Sequence, residues 1–118
     1  MLELFRKFIF INWLRPENAM FNTLRASSLL PYKFKSPSID ISCGDGIFSF
    51  IAAGGELDQR FDKYLAVDTS GFRKNADIHD FVPENHDIII NKAPDYRFDV
   101  GTDWKKNMLK KAQMLGMY

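Results

Sequence analysis

Residues 38–57 read SIDISCGDGIFSFIAAGGEL, and this stretch decides how the chain is read. Ile39, Ile41 and Cys43 alternate with Asp40 and Ser42, the period-two pattern of a short strand. Gly44 and Gly46 follow at once, and Ile47, Phe48, Phe50, Ile51 and Ala52 then form an apolar block of helical character. A strand, a glycine-rich turn and a helix in that order open a nucleotide-binding α/β unit. The turn needs glycine because the backbone reverses sharply and a Cβ would keep a ligand away from the amides. The N–H groups at the start of the next helix then face that ligand.

The chain N-terminal to this unit reads as helical. Pro16 suits the first turn of a helix and Glu17 complements its dipole. Met20, Phe21, Leu24 and the pair Leu29 and Leu30 recur at helical spacing until Pro31 stops the pattern, which predicts a helix over residues 16–30. Residues 31–38, with two prolines and two lysines, read as a linker. In residues 1–14, Phe5, Phe8, Ile9, Ile11 and Trp13 give a broad apolar face. A helix or extended arm packed on a partner surface is expected there; membrane-surface contact is disfavoured by the single basic pair, Arg6 and Lys7. The stretch has neither the long apolar core nor the cleavage site of a signal peptide.

Asp40, Ser42, Cys43, Gly44, Asp45 and Gly46, in the run DISCGDG, resemble the first motif of class I S-adenosylmethionine-dependent methyltransferases. That motif is an acidic residue and then glycines at alternate positions. Arg15-Pro16-Glu17-Asn18 also resembles bacterial members that carry an N-terminal helix ahead of the fold. Ser42 stands where the family usually has its first glycine. The resemblance implies an α/β, Rossmann-like methyltransferase fold with S-adenosylmethionine as cofactor. It puts Asp40 beneath the methionine end of the cofactor, near its amino group. Backbone at Ser42, Gly44 and Gly46 would approach the methionine carboxylate and ribose, with Cys43 and Asp45 completing the cofactor-binding loop. By its own chemistry Cys43 reads as a small buried hydrophobe rather than a nucleophile. A dinucleotide fingerprint would need a third glycine where Ser49 stands.

The family also implies an acidic residue at the end of the second strand, accepting hydrogen bonds from both ribose hydroxyls. Asp68, after Tyr64-Leu-Ala-Val, lies 22 residues beyond Gly46, the usual offset; Asp103, after Phe98-Asp-Val-Gly-Thr, lies 57 beyond it. The residues C-terminal to each candidate favour Asp103. Behind Asp68 comes a turn without apolar periodicity. Behind Asp103, Trp104, Met108, Ala112 and Leu115 share one face, lysines fill the other, and Gly116 stops the pattern. Asp103 would also cap that helix. Asp103 is therefore the preferred ribose ligand and Asp68 the alternative. Residues 56–95 become an insertion between the first helix and the second strand, with Ile88, Ile89 and Ile90 as a short buried strand or anchor. His79 and His86 fall in this insertion, seven residues apart and interrupted by Pro83, and read as loop polarity rather than metal ligands.

Composition sets outer bounds. The chain has 118 residues, 46% hydrophobic and 26% charged, with a net charge of +1. That excludes a disordered chain and gives no electrostatic case for nucleic acid. One cysteine excludes an internal disulfide. A cytoplasmic protein is expected. The resemblance implies a seven-stranded sheet, of which this chain reads to two strands, so the expectation is the N-terminal half of such a domain. In that division residues 1–37 form a helical arm and linker, and residues 38–118 a partial cofactor-binding domain. The half would belong to a larger or truncated methyltransferase with an unidentified acceptor, inactive alone, and completed by the remaining half or by self-association. Eleven phenylalanines in so short a chain sharpen the need for cover. The alternative is a non-catalytic nucleotide- or partner-binding fragment.

Overall fold

The computed structural model describes residues 1–61, 63 and 88–118. Two helices come first, α1 (Leu2–Ile11) and α2 (Pro16–Leu29), then strand β1 (Ile39–Ile41) and helix α3 (Ile47–Ala52). Strands β2 (Glu56–Leu57), β3 (Ile90–Lys92) and β4 (Val100–Thr102) and helix α4 (Lys106–Met114) complete the order. Among the described residues the result is a small mixed α/β domain that combines four helices with a two-stranded parallel sheet. Asp68, the stretch 64–67, His79 and His86 lie outside the described residues.

The core forms where the helices meet. Phe8 and Ile11 of α1, Ala19 and Ala26 of α2, and Phe50 and Ile51 of α3 are buried together with Leu115 and Met117 from the end of the chain. Each fully buried large side chain contributes on the order of 2 kcal/mol by leaving water. The alanines of α2 let its backbone approach closely. Thr23 between them donates its hydroxyl back to the Ala19 carbonyl at 2.7 Å, so a polar residue is buried without an orphaned group. Phe8 stacks on Phe48 of α3 with centroids 5.9 Å apart, and the Arg25 guanidinium lies 4.4 Å over the same ring. The α1–α2 hairpin is thus fastened to α3 from both helices.

Strands β1 and β4 run parallel, with Ile39, Asp40 and Ile41 opposite Val100, Gly101 and Thr102. Strands β2 and β3 run antiparallel, Glu56 opposite Lys92, with an irregularity between Glu56 and Leu57. The segment between α3 and β4 therefore has its two ends paired with each other. Phe34 of the linker packs against Tyr96 and Phe98, with centroids 5.2 and 5.1 Å away, and so pins residues 31–38 beside the start of β4.

Several expectations need correction. The N-terminal stretch is a helix rather than an extended arm, and its Phe8 and Ile11 pack in the core of its own chain with α2 and α3. The second helix ends at Leu29, one residue early. The isoleucine run yields a strand over Ile90–Lys92 that is exposed rather than buried, with Ile88 partly buried against the core. The last helix begins at Lys106, so Trp104 precedes it and is 85% exposed instead of facing the core, with the Lys105 ammonium 5.2 Å from its ring. Gly116 ends that helix as expected, in the left-handed conformation at φ 60°. Among the described residues, no helix is long and apolar enough to cross a membrane.

Candidate functional site: the turn between β1 and α3

The chain leaves β1 through Ser42 and makes a tight turn into α3. Ser42, Gly44 and Gly46 all adopt positive φ, at 60°, 60° and 76°. Ser42 does so with a side chain, at a position where glycine would carry no steric cost. The turn is clamped to the neighbouring strand and to itself. The Cys43 amide donates to the Thr102 carbonyl at 2.9 Å, and the Gly46 amide donates to the Cys43 carbonyl at 3.0 Å.

Asp103, one residue beyond β4, reaches across to the same turn. Its Oδ2 accepts the Gly44 amide at 3.0 Å and its Oδ1 accepts the Lys105 amide at 2.8 Å. It therefore shapes the approach to α4 from two residues ahead of Lys105, which itself occupies the cap position. A carboxylate offers about four acceptor directions. These two bonds leave room for further donors from outside.

The two glycines do different things. A Cβ on Gly44 would meet only Met108 Cε, at 3.7 Å, so the space above it is open. A Cβ on Gly46 would lie 3.1 Å from Ala112 Cβ, 3.2 Å from Ala112 Cα and 3.2 Å from the Tyr118 ring. Gly46 is thus the seat of α4 and the chain end, and Gly44 is where a ligand could reach the backbone. Asp45 turns inward. Its Oδ1 accepts the Ile47 amide at 3.2 Å and its Oδ2 pairs with the Lys63 ammonium at 2.9 Å, both side chains largely shielded from solvent.

Asp40 points to the helical side of the sheet. Its Oδ2 accepts hydroxyl hydrogen bonds from Ser49 and from Tyr118, the latter at 2.7 Å. The Tyr118 ring crosses above Gly101, where a Cβ would come within 2.7 Å of it. Burial first, and then the neighbouring Asp40 carboxylate, push the Tyr118 phenol above its ordinary range, so it stays protonated as a donor. Cys43 is buried, and that burial, helped by Asp40 and Asp103, raises its thiol against an opposing bond from Tyr118. A protonated, covered thiol is not a nucleophile.

The structure brings Asp40, Ser42, Cys43, Gly44, Asp45, Gly46 and Asp103 into one region around the turn. Sequence reasoning misses Ser49, Lys63, Met108 and Tyr118. Ser49 reads in the sequence only as an absent third glycine, although a hydroxyl in the first turn of α3 can reach back to the strand. Tyr118 and Lys63 carry no local signal, since their partners lie 78 and 18 positions away in the chain. Among the described residues, no group of three or more potential ligands could hold a metal ion. What the region offers chemically is open backbone at Gly44 beside a carboxylate with spare acceptor capacity. No protein-family model matches the chain, and no curated protein or solved structure matches it either.

Proposed function

We propose that the turn over residues 42–46 binds S-adenosylmethionine, and that the chain is the N-terminal part of a Rossmann-like, class I methyltransferase-type domain. One observation carries this reading: parallel pairing of β1 and β4 sets the Asp103 carboxylate against the Gly44 amide at 3.0 Å. An acidic residue at the end of the adjacent parallel strand, beside a glycine turn, is the arrangement that receives a ribose diol. The residues present fit such a ligand at Gly44, where no side chain blocks the backbone, and at Asp103, whose free acceptor directions suit two hydroxyls. When bound, S-adenosylmethionine supplies an electrophilic methyl group on a sulfonium. The chain's own part is to hold and orient: Asp103 takes the hydroxyls, Gly44 permits close approach, and Asp40 fixes the turn from beneath through Ser49 and Tyr118.

A second reading, non-catalytic nucleotide binding, is favoured by a separate observation. Asp40, Asp45 and Asp103 are each held by donors of the chain itself. Asp40 and Asp45 are engaged by these donors, and the acceptor directions left on Asp103 suit ligand hydroxyls, so the region presents binding groups rather than a dedicated general base.

Titration calorimetry of the 118-residue chain tests the ligand. S-adenosylhomocysteine should bind and NAD should not. Gly44→Val should weaken binding by more than about tenfold, or 1.4 kcal/mol. Asp103→Asn should cost roughly 10- to 100-fold, and because Asn offers one oxygen for two amides it should also lower the melting temperature slightly. Tight NAD binding with no response to S-adenosylhomocysteine would overturn the reading. A Gly44→Val variant that kept full affinity at unchanged folding would remove Gly44 from the site.

A further inference from the structure

The glycine turn is a demanding backbone to hold still. Three of its five residues, Ser42, Gly44 and Gly46, sit in the left-handed region, and such residues persist where their surroundings over-determine them. The first half of the turn is held from β4: the Thr102 carbonyl accepts the Cys43 amide at 2.9 Å and the Asp103 carboxylate accepts the Gly44 amide at 3.0 Å. The second half is held through Asp45, which is 8% exposed. One carboxylate oxygen accepts the Ile47 amide at 3.2 Å, at the start of α3, and the other meets the Lys63 ammonium at 2.9 Å. Lys63 comes from a part of the chain that is itself anchored. The Asp58 amide donates to the Ile89 carbonyl beside the β2–β3 pair, the Phe61 amide closes back on the Asp58 carbonyl at 3.0 Å, and Phe61 is buried in the core.

We propose that Lys63 is a positioning residue for this turn, acting through Asp45 and not on the ligand. The proposal rests on the reading of residues 42–46 as a binding turn. The ammonium supplies the counter-charge that lets the Asp45 carboxylate stay turned inward, where its other oxygen holds the Ile47 amide. With that amide held, Gly46 keeps its place at the head of α3 and the backbone at Gly44 stays open to the ligand. A shielded carboxylate without a counter-charge is unfavourable. Without Lys63 the Asp45 side chain would swing out to water, give up the Ile47 amide and loosen the second half of the turn, while β4 still held the first. Asp45→Asn removes the need for a counter-charge and still offers one oxygen to the Ile47 amide. The action of Lys63 is thereby separable from a contact with the ligand: once Asp45 has lost its charge, Lys63 becomes dispensable.

Calorimetry with S-adenosylhomocysteine, on the full chain and below the melting temperature of each variant, reads the turn. Lys63→Met keeps the apolar stem and removes the charge, and should weaken binding by about tenfold. Lys63→Arg keeps the charge and should stay near wild type. Lys63→Met combined with Asp45→Asn should recover most of the lost affinity, which a general loss of stability would not. Hydrogen exchange gives a second reading that needs no ligand. The Gly46 amide, bonded to the Cys43 carbonyl at 3.0 Å, should exchange faster in Lys63→Met and return to the wild-type rate in the double variant. Full affinity in Lys63→Met would overturn the proposal. So would a loss that Asp45→Asn fails to rescue, which marks Lys63 as a direct ligand contact or a support of the fold at large. If the wild type binds no S-adenosylhomocysteine, the ligand reading falls and the exchange rates alone decide whether Lys63 holds the turn: an unchanged Gly46 rate in Lys63→Met then overturns it.

Discussion

Among the described residues, two small sheets differ in how they are held. The β1–β4 pair is parallel and joins residues 61 apart in the chain, Ile39 to Val100. Its ties are polar and long-range. Asp99 accepts from the Ser36 hydroxyl at 2.8 Å and from the Ser38 amide and hydroxyl at 2.7 and 2.8 Å. Asp103 holds Gly44, and Asp40 holds Ser49 and Tyr118. The β2–β3 pair is antiparallel, two residues against three, with an irregular register and an exposed β3. It is tied down by the Asp58 amide on the Ile89 carbonyl, the Asp95 amide on the Ala53 carbonyl, and the Lys7–Glu56 ion pair at 2.9 Å. The first sheet carries the architecture of the candidate site. The second clasps the ends of the segment that separates α3 from β4. Three-residue parallel strands have little ladder of their own, so carboxylates placed at strand ends take over the work of fixing register.

The sharpest way to break this contrast is at Gly46. Gly46→Val forces a side chain into 3.1–3.2 Å contact with Ala112 and the Tyr118 ring at a φ of 76°. Strain and overpacking together should cost about 3 kcal/mol in urea denaturation. Gly44→Ala meets open space and should cost only about 1–2 kcal/mol, the left-handed penalty alone. Equal losses at the two positions would erase the distinction between seat and opening.

A smaller effect is expected on the clasp side. Replacing residues 64–87 with a Gly–Ser linker keeps Lys63 for Asp45 and Ile89 for Asp58. Stability should stay within about 1 kcal/mol of the intact chain, since closure entropy changes slowly with the length of a connection. Loss of cooperative unfolding would show that the two sheets depend on each other.

The smallest effect is electrostatic. The Ser36 and Ser38 hydroxyls and the Ser38 amide hold the Asp99 carboxyl below the usual aspartate range. A depressed carboxyl contributes its stability above the ordinary aspartate value and loses it as pH falls through the lowered one. Ser38→Ala removes one hydroxyl donor, so the Asp99 titration measured by carbon NMR should move up toward the ordinary value. An Asp99 titration that did not move would mean the serine contacts are not what ties the linker to β4.

The glycine turn and its flanking strand and helix are legible in the sequence because their signals are local: alternation through Ile39, Ile41 and Cys43, then two glycines, then an apolar block. Asp103 is legible for a related reason, since the amphipathic run behind it marks a strand-to-helix junction. The bonds that complete the region are not. Tyr118 finds Asp40 only after α4 has folded back across Gly101, and Lys63 finds Asp45 only through the path taken after β2. Periodicity starts α4 two residues early because Asp103 gives its carboxylate to Gly44 and Lys105, leaving Trp104 in the bend. Trp104 shares the apolar period but not the helix, and periodicity cannot separate the two.

The close seat of Ala112 on Gly46 bears on how such a chain would change over generations. A lineage with nothing to hold at the turn could fill the space above Gly44 at the left-handed penalty alone, whereas a side chain at Gly46 would add to that penalty a shift of Ala112 and the Tyr118 ring by a few tenths of an ångström. The second glycine of the GDG run should therefore outlive the activity it is usually taken to advertise. Among descendants, a side chain at the first glycine position beside an unchanged second would mark a scaffold kept for its shape alone.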